Sequence, residues 1–284
     1  MTKKTQVGIL GAGTMGVGVA HVFAEYGYSV ILVDTNPNAL KKFDHALSQS
    51  YRTQCFLGKP QAKLESIQER IQTTTQLQSL ETCDYLIDNS TESSFAKEQL
   101  LSQLKTIIKP DCLVIINTSC IPITSLAQCL DNPGRLLGIH FMNPAPVKSF
   151  VEIIKTRWTS KESLILAIDL LKSIGKSGNV VQDSPGFVIN RVFMVTINEA
   201  IKVYDEQASV KPEEIDELYV KCLGHKMGPL MTADLIGLDT ILYSLKVLHE
   251  ELKQDIYLPA KRLVSLVTAG KLGRKTGAGI YHYG

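Results

Sequence analysis

Apolar positions in the first part of the chain come in short blocks separated by turns. Residues 6–10, QVGIL, form a near-continuous apolar run that predicts a buried strand. A glycine turn follows, and residues 15–27, MGVGVAHVFAEYG, carry apolar residues at helical spacing, with Gly27 as a stop. The next apolar run, YSVILVD, ends at Asp34. Strand, turn, helix and strand in this order predict a parallel, doubly wound sheet. Residues 36–59 and 61–71 read as two helices with a polar face. Further strands are predicted at 83–90, 111–119, 134–144, 149–155 and 177–183, with helices at 94–108 and 163–175.

After DSPGF the pattern changes. Residues 187–206, 212–223 and 235–252 carry apolar side chains at helical spacing, and strand patterns all but vanish. Pro and Gly punctuate the change, which puts a domain boundary near 183–186. The predicted fold class is therefore α/β: a doubly wound, mainly parallel sheet in residues 1–183, followed by an all-α C-terminal domain in 184–284.

Composition narrows the function. The 284 residues carry a formal net charge of +2 with no long run of one sign, which argues against nucleic acid or an anionic membrane as the main partner. No apolar run is long enough to span a bilayer. The six cysteines lack C-x-x-C or zinc-ligand spacing and fit a reducing compartment. The start, MTKKTQVGIL, shows no signal-peptide pattern, so the expected location is cytoplasmic.

The glycine turn has the spacing G-x-G-x-x-G at Gly11, Gly13 and Gly16, between a strand and a helix. Gly11 permits the turn, Gly13 lets backbone approach a pyrophosphate, and Gly16 lets the helix pack close to the sheet. The N–H groups at the helix start, at Thr14 and Met15, face the phosphates. Asp34, 18 residues after Gly16, suits a ribose diol. With Thr35 and Asn36 next and no arginine, NAD is favoured over NADP, and FAD is the weaker alternative. This is a Rossmann-type arrangement.

A nicotinamide needs a proton acceptor near the carboxyl ends of the strands. His140 closes LLGIH, and Glu152 follows 12 residues later in FVEII, so a strand, turn and return strand would bring imidazole and carboxylate together. Such a carboxylate fixes the tautomer of a histidine base. His140 as a mere strand cap is the competing reading. Ser119 and Asn190 are candidates for holding a substrate oxygen, or are plain turn and cap residues. The other histidines, His21, His45, His225, His249 and His282, read as surface or structural.

The segments GAGTMGVGVA, NTS, IHFMNPAPV, VEII, DSPGFVINR, MGPLMTADLIGLD and GRKTGAGIYHY occur in this order. Together they resemble the short-chain L-3-hydroxyacyl-CoA dehydrogenase family, which includes the 3-hydroxybutyryl-CoA dehydrogenases, over nearly the whole chain. The resemblance implies a catalytic set of His140, Glu152, Ser119 and Asn190. It implies cofactor contacts from the glycine turn, Asp34, Glu92, Lys97, Asn117, Asn143 and Lys275. It also implies a helical domain that mediates dimerisation, and an acyl-CoA substrate.

Some positions depart from the family's pattern. DNSTES stands where relatives carry E-A-V-x-E-N, so Asp88 replaces a Glu and Ser93 an Asn, while Glu92 survives. CLGHK is a short version of the loop before MGP. Residues 48–79, the family's CoA-contacting region, match poorly. That mismatch leaves open a hydroxyacyl group on an acyl carrier protein (ACP), as in polyketide extender-unit relatives, with Arg52, Lys59 and Lys63 as a docking face. The basic residues of this region, including Lys41 and Lys42, also read simply as a solvated face. The wider β-hydroxyacid dehydrogenases, with a lysine base, and a silent NAD-binding protein are the remaining alternatives.

Overall fold

The computed structural model describes residues 5–207 and 209–284, which form two compact units meeting in sequence at Asp183 and Ser184. The first unit alternates strands with helices: β1 (Gln6–Leu10), α1 (Thr14–Glu25), β2 (Ser29–Val33), α2 (Pro37–Lys41), α3 (Phe43–Leu57), α4 (Leu64–Gln68) and β3 (Ile71–Thr74). Then come β4 (Tyr85–Asp88), α5 (Ser94–Leu104), β5 (Leu113–Ile116), α6 (Thr124–Ala127), β6 (Leu136–His140), β7 (Phe150–Lys155), α7 (Lys161–Ser173) and β8 (Ser177–Gln182). The sheet order is β3-β2-β1-β4-β5-β6-β7-β8, parallel throughout except where β6 meets β7.

The central strands are buried from end to end, as the unbroken apolar runs of β5 and β6 require when both faces of a parallel sheet are covered. α1 is buried along almost its whole length, from Gly16 to Glu25. Its glycines let it lie close to neighbouring chain: a Cβ on Gly18 would touch Ala145. These packed elements hold the carboxyl ends of the strands, and the loops that leave them, in fixed positions.

The structure corrects three sequence expectations. Residues 36–59 are not one helix, because Lys42 closes α2 and opens α3. α2, capped by Asn36, buries nothing, whereas α3 begins where Phe43 enters the core. The run 61–71 contains only the five-residue α4, and Ile71 begins β3 instead of ending a helix. As an edge strand with no fully buried residue, β3 has none of the apolar alternation that announces a strand. Residues 235–252 are likewise two helices, divided at Gly237, whose φ of 105° no helix accepts.

The second unit holds α8 (Ile189–Glu206), α9 (Pro212–Leu223), α10 (Pro229–Ile236), α11 (Leu238–Leu252) and α12 (Lys261–Thr268). Its core gathers Met194, Ile197, Ile201, Leu230, Leu238, Ile241, Leu245 and Leu263 from the inner faces of these helices. Two buried acids clip its end in place. Asp216 accepts bonds from Leu230 N, Met231 N and Tyr281 OH, and Asp234 from Ile280 N, Tyr281 N and Tyr283 OH. Among the described residues, no helix is long and apolar enough to cross a membrane.

His21 in α1 is structural, and it is fully buried. Its Nδ1 lies 2.9 Å from Ser50 Oγ, Nε2 has no partner, and burial pulls the ring's pKa down to about 4 against an opposing effect of Gln54. The unfolded chain takes up this proton near 6.5, before the folded chain does. Stability is therefore lost as pH falls from 6.5 to about 4, by up to about 3 kcal/mol. Urea unfolding at a series of pH values is expected to show a shallower acid limb in His21→Gln. Equal slopes for wild type and variant would contradict this.

Candidate active site

The glycine turn is built for close approach. Gly11 has φ 89°, and a Cβ there would sit 2.6 Å from the Asn89 carbonyl oxygen. A Cβ on Gly16 would collide with the Gly11 carbonyl oxygen, so glycine is required for α1 to start where it does. Gly13, the N-cap of α1, is the opposite case: nothing lies within 4 Å of where its Cβ would be. Thr14 and Met15 open the helix behind that open space, the arrangement that receives a phosphate at a helix N-terminus.

Asp34 leaves the end of β2 and braces the turn. Its Oδ2 accepts from Ala12 N at 2.7 Å and its Oδ1 from Asn36 N at 2.8 Å. It also lines a cavity of about 460 Å³ with Gly11, Gly13, Val33, Leu77 and Leu100. Mainly apolar walls and one carboxylate suit the adenosine half of a dinucleotide, and among the described residues no cation lines this cavity to meet a 2′-phosphate. On the other side of the turn, a cavity of about 630 Å³ is lined by Gly13, Thr14, Asn143, Pro144 and the α3 residues Ala46, Gln49, Ser50 and Thr53.

At the carboxyl ends of β4, β5 and β6 the loops are bonded to one another. Asn117 donates to Asn89 Oδ1 at 2.6 Å and accepts from Phe141 N at 3.1 Å, which fixes the residue after His140 beside the end of β5. Glu92 Oε1 accepts from Thr118 Oγ1, Ser119 N and Cys120 N at 2.5, 2.8 and 3.2 Å. Glu92 thus holds the turn that carries Ser119. Lys97 is wholly buried, its Nζ 2.9 Å from Asp88 Oδ2 and 3.5 Å from Ser90 O. Asp88 Oδ1 accepts from Ser90 N at 2.8 Å, so the pair holds the loop against which Gly11 packs.

His140 and Glu152 face each other across the antiparallel β6–β7 pair, in register. His140 Nδ1 lies 2.8 Å from Glu152 Oε2, and both residues are buried. A carboxylate only accepts, so Nδ1 carries the hydrogen, and in the neutral ring Nε2 then carries the lone pair.

Lys176 falls between the predicted helix at 163–175 and the predicted strand at 177–183, where the sequence gives it no role. It is buried, and its Nζ donates at 2.7 Å to both Ala145 O and Lys148 O, tying down the connection between β6 and β7. Burial pulls its pKa down to about 8, opposed by Glu25.

Two predicted site residues lie in the second unit. Asn190 is in the first turn of α8. Lys275 is exposed, with Nζ 2.6 and 2.7 Å from the two carboxylate oxygens of Asp239.

A glycine turn at a helix start, an acid at the end of the next strand and a buried histidine–carboxylate pair define a class: a dinucleotide-binding protein equipped to move a proton. The comparisons carry this further. The family described as 3-hydroxyacyl-CoA dehydrogenase, NAD binding domain, matches residues 6–184, and the C-terminal domain of the same family matches 186–283. A probable 3-hydroxybutyryl-CoA dehydrogenase of Deinococcus radiodurans is 39% identical over 276 residues, 97% of this chain and 99% of the relative. The human mitochondrial hydroxyacyl-coenzyme A dehydrogenase is 32% identical over 285 residues, 98% of this chain and 90% of the relative. The crystal structure of (S)-3-hydroxybutyryl-CoA dehydrogenase from Ralstonia eutropha superposes with a TM-score of 0.90 at 38% identity, covering 99% of this chain and all of that one. The chain belongs to the 3-hydroxyacyl-CoA dehydrogenase family, and its first unit is an NAD-binding domain of that family.

Proposed function

We propose that this protein interconverts 3-hydroxyacyl and 3-oxoacyl thioesters, of the acyl-CoA type, with NAD as the redox partner. The observation that carries the reading is the in-register His140–Glu152 pair at the carboxyl edge of a sheet whose first turn fits a dinucleotide. In the oxidising direction His140 Nε2 takes the proton of the 3-hydroxyl group. Glu152 holds Nδ1–H and stabilises the imidazolium as it forms. NAD, held by the glycine turn and Asp34, would supply the acceptor for the hydride on carbon 3. Ser119, its turn fixed by Glu92, donates a hydrogen bond to the substrate oxygen, which in the reducing direction polarises the oxo group. Asn190 holds a second substrate oxygen. Asn143 and Lys275 contact the cofactor. Lys97 and Asn117 act on it through the loops they brace, and Asp34 binds its ribose.

The same proposal includes a homodimer formed through the helical unit, supported by Val192, Leu218 and Leu223, which stand exposed there. It includes a cytoplasmic location, supported by six cysteines that form no disulfide. The test of the function is NADH consumption with acetoacetyl-CoA. Turnover is expected, with NADPH at least about tenfold poorer because Asp34 meets the 2′-phosphate. NADH binding without turnover of any 3-oxoacyl thioester would refute the reading.

A further inference from the structure

The turn that carries Ser119 spends its backbone donors on side chains. Between the end of β5 and the start of α6, every amide N–H from Ser119 to Thr124 goes to a side-chain oxygen, Pro122 having none to give. Glu92 Oε1 takes those of Ser119 and Cys120, and Thr118 Oγ1 takes that of Ile121 at 3.1 Å. At the far end Asp183 Oδ2 accepts from Ile123 N at 3.0 Å, Thr124 N at 2.7 Å and Thr124 Oγ1 at 2.6 Å. Two carboxylates therefore hold the turn, one at its head and one at its foot. Cys120, Ile121 and Ile123 are buried between them, so the segment has little room to find other acceptors.

Asp183 reaches this turn from 60 positions further along the chain. It follows β8, and its own N–H goes to Lys155 O at 3.0 Å, which fixes it beside the end of β7. It is also the last residue of the first unit, and the chain that leaves it leads to Asn190 in the first turn of α8. Its Oδ1 is buried and has no hydrogen-bond partner among the described residues, so the whole hold lies on Oδ2. The position needs one acceptor oxygen.

We infer that Asp183 is a positioning residue for the reaction: its carboxylate sets the turn that aims the Ser119 hydroxyl at the substrate oxygen. The inference rests on the dehydrogenase reading above and adds to it a residue that acts only through Ser119. An alanine at 183 leaves Ile123 N, Thr124 N and Thr124 Oγ1 without their acceptor, and the foot of the turn shifts toward others. Such a shift is small, but a group that holds a reacting oxygen loses about a hundredfold in rate for a misplacement of about 1 Å.

The test is a double-mutant cycle with Ser119→Ala, read as NADH consumption with acetoacetyl-CoA. NADH affinity, measured for every protein, is expected to change little and reports that the site is folded. Asp183→Ala is expected to lower kcat about ten- to a hundredfold. Asp183→Asn keeps an acceptor oxygen and gives up the charge, so its expected loss is smaller, about three- to tenfold. It carries the cycle should the alanine variant fail to fold. In the Ser119→Ala background neither substitution is expected to cost more than about twofold, because the hydroxyl they aim is already gone. A purely structural role predicts the same loss in both backgrounds. That additive result, or a wild-type kcat in both Asp183 variants, would overturn the inference and leave the dehydrogenase reading in place. A wild type that binds NADH and turns over no 3-oxoacyl thioester would sink that reading, and the inference with it.

Discussion

Glu152→Gln is expected to lower kcat by about a hundred- to ten-thousandfold with little change in NADH binding. The carboxylate is 2.8 Å from His140 Nδ1 and accepts its hydrogen. A glutamine amide at the same place is free to turn its NH2 group toward Nδ1. The ring then adopts the other tautomer, with hydrogen on Nε2 and no lone pair for the substrate hydroxyl. Charge is also lost: the carboxylate at 152 no longer stabilises the imidazolium that proton transfer creates in a buried site. The two residues are paired across β6 and β7 whatever the side chain at 152, so the fold is expected to hold. Single-turnover rates and NADH titration separate chemistry from binding. A variant that keeps more than about a tenth of the wild-type kcat would show that Glu152 is not the orienting group.

Lys97→Met is expected to destabilise the protein by about 3–5 kcal/mol. Neither side chain of the Lys97–Asp88 pair has any exposed surface, so the substitution leaves a carboxylate buried without its cation. The double variant K97M/D88N is expected to recover most of the loss. It removes the stranded charge and keeps an acceptor for Ser90 N, the bond that shapes the loop beside Gly11. Urea unfolding of the three proteins measures both quantities. A K97M cost below about 1 kcal/mol, or no recovery in the double variant, would contradict a buried ion pair at this place.

What the sequence made legible follows from local physics. Unbroken apolar runs mark β1, β2, β4, β5 and β6 because these strands are covered on both faces. The histidine–glutamate spacing marks a hairpin because the strands pair antiparallel in that register. β3 lay hidden because an edge strand buries too little to leave a pattern. The break at Gly237 was hidden for a different reason: apolar spacing runs straight through it, and only the positive φ stops the helix.

The candidate site residues stand out in the sequence by type and spacing, but their partners do not. Lys97 is matched to Asp88, nine positions back, by the turn between a strand and a helix. Lys176 reaches two backbone carbonyls that lie 28 and 31 positions earlier in the chain. Backbone acceptors leave no signature in a sequence, so a buried lysine of this kind reads as a loop residue until the fold is known.

The measurement that bears most directly on the central claim is NADH consumption with acetoacetyl-CoA by wild type and His140→Gln, with NADH affinity determined for both. The account predicts turnover by the wild type, and a fall of at least about a hundredfold in kcat in the variant at unchanged NADH affinity. Wild-type turnover that survives His140→Gln would place the proton-transfer group elsewhere and contradict the assignment.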